Sequence, residues 1–450
     1  MVDFGFASMG FPPEAPQCIL PTSIFLERSD LGTIDEKMDE IINRLTKWEP
    51  KTKNKGTTAL PKIPIDGKDY PEAVDNMNLL FQRNGWSDTL PMLPPTEERI
   101  DRLLTGTDLP RDVVLGKILP RGGIATVELI ATIAAMAGCR PEYMPVLIAV
   151  MTAILNPEFA HWGINATTNS CYPVVIVNGP VAKQIRLNSG YGCLGPDPAH
   201  PAGGLIGRTI RLLMLIVGGA MPGSRSMSIF GGPARYTGIV FAEDEDGLPQ
   251  DWEPLNVERG FARGSNVVTV GVVTSTVNLS GGGTATTEEE AFKNLYKSAC
   301  HIRVPSSVYF LNSGPKWPDR PPGYLLLPGK GAQGLSMLGW SKGKVKTFLW
   351  EHSKVPWFDI KNARSPKEIA EHINACDGLL KENESWPITS KPENIMIIVA
   401  GGAQSGHWYW MQGYYQPPRP MSVEIGLPTG WGKLMEKAEE QLGPISLTGF

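Results

Sequence analysis

The chain has 450 residues, of which 42% are hydrophobic and 20% charged, with a formal net charge of −4. That length suits two or three domains, and the composition is that of a folded globular protein, not a disordered one. The small negative charge lacks the basic footprint of a nucleic-acid binder, so no nucleic-acid partner is expected.

Residues 1–60 read as an N-terminal arm. The stretch 4–6 has strand character, and Pro12, Pro13, Pro16 and Pro21 keep the next segment extended. Asp30 or Thr33 is placed to cap a helix over 34–48, with Ile34, Met38, Ile41, Ile42 and Leu45 on one face. The basic run KTKNKG then serves as a linker. An arm this short cannot bury its own apolar face, so it must dock on the main body or on another chain.

A main lobe is expected over 61–305. Helices are predicted over 71–84 and after Thr96, which caps with Glu97 and Glu98 in the first turn. The segments 122–139 and 144–155 read as buried helices. The apolar, β-branched run 174–177 reads as a buried strand, closed by Asn178-Gly179-Pro180. A helix over 205–217 follows. Strand character returns at 236–243 and 267–276, around an acidic loop, EDEDGLPQDWEPLNVERGF. Thr286 opens a helix to 301. A second lobe is expected over 306–450, with helices over 341–352, 365–376 and 430–441. It also holds a strand over 395–399 and an aromatic loop or hairpin over 408–420. MIIVAGG resembles VVIVNGP, each followed by a polar segment, which points to an internal duplication. The expected fold class is α/β, with mixed sheets, buried helices, two related lobes and an extended arm.

The stretch 164–196, INATTNSCYPVVIVNGPVAKQIRLNSGYGCLGP, concentrates the chemistry. A buried strand between two polar, turn-forming segments is how an α/β protein presents groups to a small ligand. Asn165, Thr167, Thr168, Asn169, Asn178, Asn188 and Ser189 suit a polar molecule or an oxyanion, or alternatively cap turns. Cys171 and Cys193 flank the strand as candidate nucleophiles or soft ligands, against the alternative of small buried hydrophobes. Arg208 and Arg211 near a helix start suit a carboxylate, or the acidic loop. His161 and His407 would face one cleft if the lobes are related, as ligands of a transition metal or as an acid–base pair. Structural roles are the alternative for both.

The six cysteines form no CxxC pair, which excludes a zinc ribbon and a thioredoxin motif. GGAQSG at 401–406 and GGLIGR at 203–208 do not fit a dinucleotide fingerprint, and no GxxxxGK[ST] or GxSxG occurs, so no nucleotide cofactor is expected. The N-terminus lacks a basic n-region, and no apolar segment reaches the ~20 residues of a bilayer span. A reduced, cytoplasmic protein without a membrane partner is expected.

The phrases LPMLPPTEERIDRLL, GGIATVELIATIAAMAGCRPEYMPVLIAVMTAILNPEF, ATTNSCYPVVIVNGP, EPLNVERGF and GWSKGKVKTFLWEH together resemble the large bacterial proteins that carry a UGSC-like (seleno)protein domain. The resemblance covers about residues 85–415. The arm, GFASMGFPPEAPQCILPTSIFLERSDL followed by a helix and KWEP, is similar to the tail of the domain that gives the family its name. In that domain a Cys or selenocysteine in a (U/C)GSC motif is the redox-active group. No CGSC occurs in this chain, so no residue here takes over that role. The resemblance implies a partner chain that carries a CGSC/UGSC-type domain, or a homo-oligomer that does without it.

The expected function is a subunit of an enzyme that transforms a small polar molecule by thiol- or metal-assisted redox or lyase chemistry beside strand 174–177. Cys171, Cys193 and His161 are its candidate catalytic residues. Asn165, Thr168, Asn169, Asn178, Ser189 and Arg208 are its candidate binding residues. Two alternatives stand beside it: a non-catalytic assembly subunit of a heteromeric enzyme, and a metal-dependent hydrolase or hydratase using His161 and His407.

Overall fold

The apolar run between the two polar segments forms β3, Tyr172–Asn178, and the rest of the sheet is laid around it. The computed structural model describes residues 18, 31–47, 62–232, 238–280, 283–303, 321–376, 378–404, 406–414 and 419–443. The chain divides into two units, Met1–Pro64 and Ile65–Phe450.

In the first unit the described residues form α1, Gly32–Glu36, and α2, Met38–Thr46, broken at Lys37. The single helix expected over 34–48 is thus two pieces. No residue of either piece is buried, and Leu31, Met38, Ile42 and Leu45 are exposed. The strand over 4–6, the proline-rich stretch around Cys18, Asp30 and the basic linker lie outside the described residues.

In the second unit the helices start where their caps are. Asp69 accepts from the Glu72 amide and opens α3, Tyr70–Arg83. Thr96 opens α4, Glu97–Leu104. The helix expected over 122–139 starts later. Gly123–Thr126 is β2, paired antiparallel with β1, Val114–Ile118, after Gly122 turns the chain at φ 80°. Thr126 then caps α5, Val127–Ala137, and Gly138 ends it in the left-handed conformation. α6, Met144–Leu155, is buried almost all round, as a core helix must be when it is apolar on every face. Then come α7, His161–Ala166; α8, Pro180–Gln184; α9, Ala202–Leu212; and α10, Leu255–Glu258.

The second half adds α11, Glu288–Ile302; α12, Gly329–Met337; α13, Lys342–His352; α14, Trp357–Ala363; α15, Pro366–Ala375, with a complete capping box at Ser365 and Glu368; and α16, Trp431–Leu442. Among the described residues no single helix is long and apolar enough to cross a membrane.

The fold is α/β with a mixed seven-stranded sheet. The other strands are β4, Ile239–Ala242; β5, Val267–Ser280; β6, Gly323–Leu327; β7, Met396–Val399; β8, His407–Gly413; and β9, Met421–Glu424. Their order is β4-β3-β5-β8-β6-β7, with β9 on β5 beside β8. β3 pairs parallel with β4, and β6 pairs parallel with β7; all other pairs are antiparallel. The order is therefore a topological repeat about the β5–β8 pair: β3, β4 and β5 correspond to β6, β7 and β8. In this repeat VVIVNGP matches the β6 phrase YLLLPGK, not MIIVAGG, whose partner is β4. The boundary expected near 305 falls within this sheet, which takes strands from both sides of it.

Side chains alternate across the strands. One face carries Val174, Ile176, Phe241, Tyr324, Leu326, Ile398 and Met411 as a shared core. On the other face, Val175, Val177 and Val270 pack under α5, α6 and α9, while Leu325, Leu327, Ile397 and Trp408 pack under α11, α12 and α13.

Candidate functional site at the meeting of the strand ends

β4 and β7 are the two edges of the sheet, yet their carboxyl ends touch. The Asp244 N–H donates to the Val399 carbonyl at 2.7 Å, and the Gly401 N–H donates to the Ser189 carbonyl at 2.8 Å. The Gly329 N–H, at the start of α12, donates to the Gly402 carbonyl at 3.2 Å. Both parallel pairs thus deliver their carboxyl ends to one place, and the sheet must curl around its shared core to allow it. Gly402 has φ 85°, and a Cβ there would lie 3.2 Å from the Tyr191 ring. Gly329 faces Gly247 just as closely, with 3.3 Å from its Cβ position to the Gly247 Cα. The turns are therefore bare because other backbone and a ring occupy the space a side chain would need.

Four consecutive acids leave β4 here, each with its own partner. Glu243 is buried; its Oε2 accepts from Asn178 Nδ2 at 2.7 Å and from the Leu255 N–H at 2.6 Å. Asp244 is half-buried and accepts from the Gly247 N–H through Oδ1. Glu245 accepts from the Gly179 N–H at 2.6 Å and from Asn178 Nδ2 at 3.2 Å. Asp246 pairs with Lys183 at the surface. Burial raises the pKa of Glu243, against the pull of Lys342, and burial also raises that of Asp244. Among the described residues, Asn178 Oδ1 and Glu243 Oε1 are buried without a hydrogen-bond partner.

Behind Glu243 sits an ionic chain, buried at Lys342 and half-buried at Glu258 and Lys346, that ties the two halves. Lys342 Nζ lies 3.9 Å from Glu243 Oε1 and 3.4 Å from Glu258 Oε1, and Lys346 Nζ lies 3.1 Å from Glu258 Oε2. Burial lowers the Lys346 pKa, opposed by Glu258.

The residues singled out in the sequence are distributed over several places. Asn178 and Ser189 are at the meeting of strand ends. Cys193 is nearby in the shared core, where burial pushes its thiol up to about 12. Asn165 and Cys171 line a separate cavity at the other end of β3, with Tyr172 and Arg211. Its volume is about 30 Å³, room for about one water. Asn165 Nδ2 donates to the Leu119 carbonyl at 2.6 Å, and the Cys171 thiol is turned to the Ile164 carbonyl. Thr168 and Asn169 offer their carbonyls to the Ile229 N–H and the Ser228 hydroxyl. These contacts use their backbones.

Arg208 is no anion anchor: its guanidinium grips both oxygens of Asp88, at 2.8 and 2.9 Å, and the carbonyls of Leu90 and Pro91. Nor does it reach the acidic loop. The expected metal pair is also not assembled. His161 is buried, its Nε2 accepts from the Leu119 N–H at 2.9 Å, and burial lowers its pKa. His407 is exposed beside Asn278, pairing with Ser280 at the end of β5, seven residues beyond the Val273 that faces the start of β3. No group of three His, Cys, Asp or Glu side chains placed to hold a metal occurs among the described residues.

Two features were not assigned to the site from the sequence: the acidic run, read there only as a loop, and GKGAQG at 329–334. The acidic run directly after a fully buried strand was legible as a strand-end cluster, since such a strand leaves its first polar residues at its carboxyl end. GKGAQG at 329–334 does follow a strand and open a helix. Packing accounts for its glycines: Gly329 meets Gly247, Gly331 would place a Cβ 3.1 Å from Trp408 Nε1, and Gly334 one 2.9 Å from the Ala285 carbonyl. Comparison of the chain with protein-family models, curated proteins and solved structures finds no match.

Proposed function

We propose that the chain is an enzyme, or the large subunit of one, that takes a small polar molecule at the meeting of the strand ends and moves a proton on it with the Asp244 carboxyl group. The observation that carries this reading is the Asp244–Val399 hydrogen bond, which brings two parallel strand pairs together at their carboxyl ends. In α/β sheets, ligands are received at such ends. Asp244 suits acid–base work. It is half-buried, burial raises its pKa, and its Oδ2 has no hydrogen-bond partner among the described residues. Ser189, half-buried and bonded to Gly401 through its carbonyl, is a second polar residue there. Proton transfer of this kind belongs to lyases and isomerases. Thiol chemistry has less support, because burial keeps Cys193 protonated and Cys171 is fully buried.

Thermal-shift screening of the full chain against polar metabolites, followed by NMR turnover assays, tests the reading. The expected result is a binder whose conversion falls at least about a hundred-fold in Asp244→Asn, while the variant keeps its melting temperature. Full conversion by that variant would sink the proposal.

The assembly-subunit reading is favoured by a different observation. The apolar side of α2 is exposed, and Met227, Ile229 and Phe230 on one loop are 61%, 71% and 91% exposed. Native mass spectrometry of protein purified from its own cells tests it. A stoichiometric second chain bearing CGSC or UGSC would support it, and a monomer would exclude it.

A further inference from the structure

We propose that the cavity between α11 and α13 binds a small organic cation, an ammonium or guanidinium compound. The cavity has a volume of about 410 Å³, within the range of small-molecule sites. It lies among the outer helices, and none of its lining residues belongs to the strand-end site.

Its walls combine aromatic rings with carboxylates. Trp340 and Phe348 stand nearly perpendicular, at 83° with centroids 5.4 Å apart. Phe292 and His352 pack against Phe348 at 5.3 and 4.1 Å, which holds that ring in place. Glu288 and Glu351 supply two carboxylates, against the single ammonium of Lys344.

The hydrogen-bonding capacity of these walls is lopsided. Each donor group already has one acceptor in the protein itself. Trp340 Nε1 donates to Glu288 Oε2 at 3.0 Å, Lys344 Nζ to the Gly339 carbonyl at 2.8 Å, and the Thr347 hydroxyl to the Gly343 carbonyl at 3.1 Å. What remains among the lining side chains is Glu288 Oε1, the Glu351 carboxylate, two N–H groups of Lys344 and the ring surfaces, so two carboxylates stand against one ammonium. An anion would meet two carboxylates against one ammonium, and a neutral polyol would make no use of that excess negative charge. A metal ion would find too few oxygens and no use for the rings. An organic cation uses both, the charge against the carboxylates and the C–H shell against the rings.

The test is titration of the full chain by calorimetry or NMR with choline and with its uncharged carbon analogue, dimethylbutanol. The expected result is saturable choline binding at least about ten-fold tighter than that of the analogue. The Trp340→Ala and Glu351→Gln variants should each weaken it by about three- to ten-fold. Equal affinity for the two probes, no saturation by choline at about 10 mM, the weak end of measurable affinity, or unchanged binding in both folded variants would overturn the proposal.

Discussion

The Asp244 amide and the Val399 carbonyl are hydrogen-bonded at 2.7 Å, although they follow and close strands at opposite edges of one sheet. That bond needs the turn after β7 to lie flat against the 188–191 loop, and Gly402 is where it does so. Gly402→Ala meets two penalties, a left-handed φ of 85° and the Tyr191 ring at 3.2 Å. We expect a loss of about 2 kcal/mol in urea unfolding. Adding Tyr191→Ala should recover the steric share only. Full recovery would show that the φ is not held.

The Glu243 carboxyl makes stability depend on pH in an unusual direction. Burial raises its native pKa above the ordinary 4.5. Between that value and the native one, the folded protein binds the proton more tightly than the unfolded chain. Stability from this group is therefore present at low pH and lost as pH rises through the native pKa. Glu243→Gln should remove a falling slope of at most about 1.4 kcal/mol per pH unit. Unfolding midpoints of both proteins from acid to neutral pH check this, and parallel curves would refute it.

Tyr324 sets the spacing between β6 and β5 from inside the shared core. Its hydroxyl occupies the place where a Cβ of Gly271 would stand. Gly271→Ala should cost about 1–3 kcal/mol by overpacking. A double-mutant cycle with Tyr324→Phe should show coupling, since the two changes share one space.

These glycines mark the limit of what a single sequence discloses. Local signals were readable: Thr96 caps the helix its spacing predicts, and the helices expected from 341 and 365 open there. The β-branched run 174–177 lies within β3. What local pattern could not carry was pairing. MIIVAGG and VVIVNGP look alike because any buried strand followed by a turn reads so, yet their places in the sheet differ. β6 and β9 are too short and too plain to announce themselves. The binding set dispersed for the same reason: Asn165 and Asn178 sit at opposite ends of one strand region. Which residues gather at Asp244 is decided by the curl of the sheet, a property of distant contacts.

Arg208 shows how a candidate anchor becomes a strut. Its guanidinium grips Asp88, whose side chain is 2% exposed, and ties α9 to the loop before α4. Arg208→Ala leaves that carboxylate buried and unpaired, at a cost of roughly 3–5 kcal/mol. Ligand affinity per folded molecule should stay unchanged. A selective loss of affinity at full stability would restore the anchor role.

Thiol reactivity separates the cysteines by burial. The Cys193 pKa rises from its ordinary 9.0 to about 12, and Cys139 does the same beside Thr209. Three units mean about a thousand-fold less thiolate at mildly alkaline pH. Cys171 is fully buried as well, whereas Cys18, Cys300 and Cys376 are only partly covered. Alkylation of the native protein, read by peptide mass spectrometry, should modify those last three and spare Cys139, Cys171 and Cys193 until denaturant is added. Rapid native labelling of Cys193 would mean that it is reached through the strand-end site, and would return the thiol to the candidate chemistry beside Asp244.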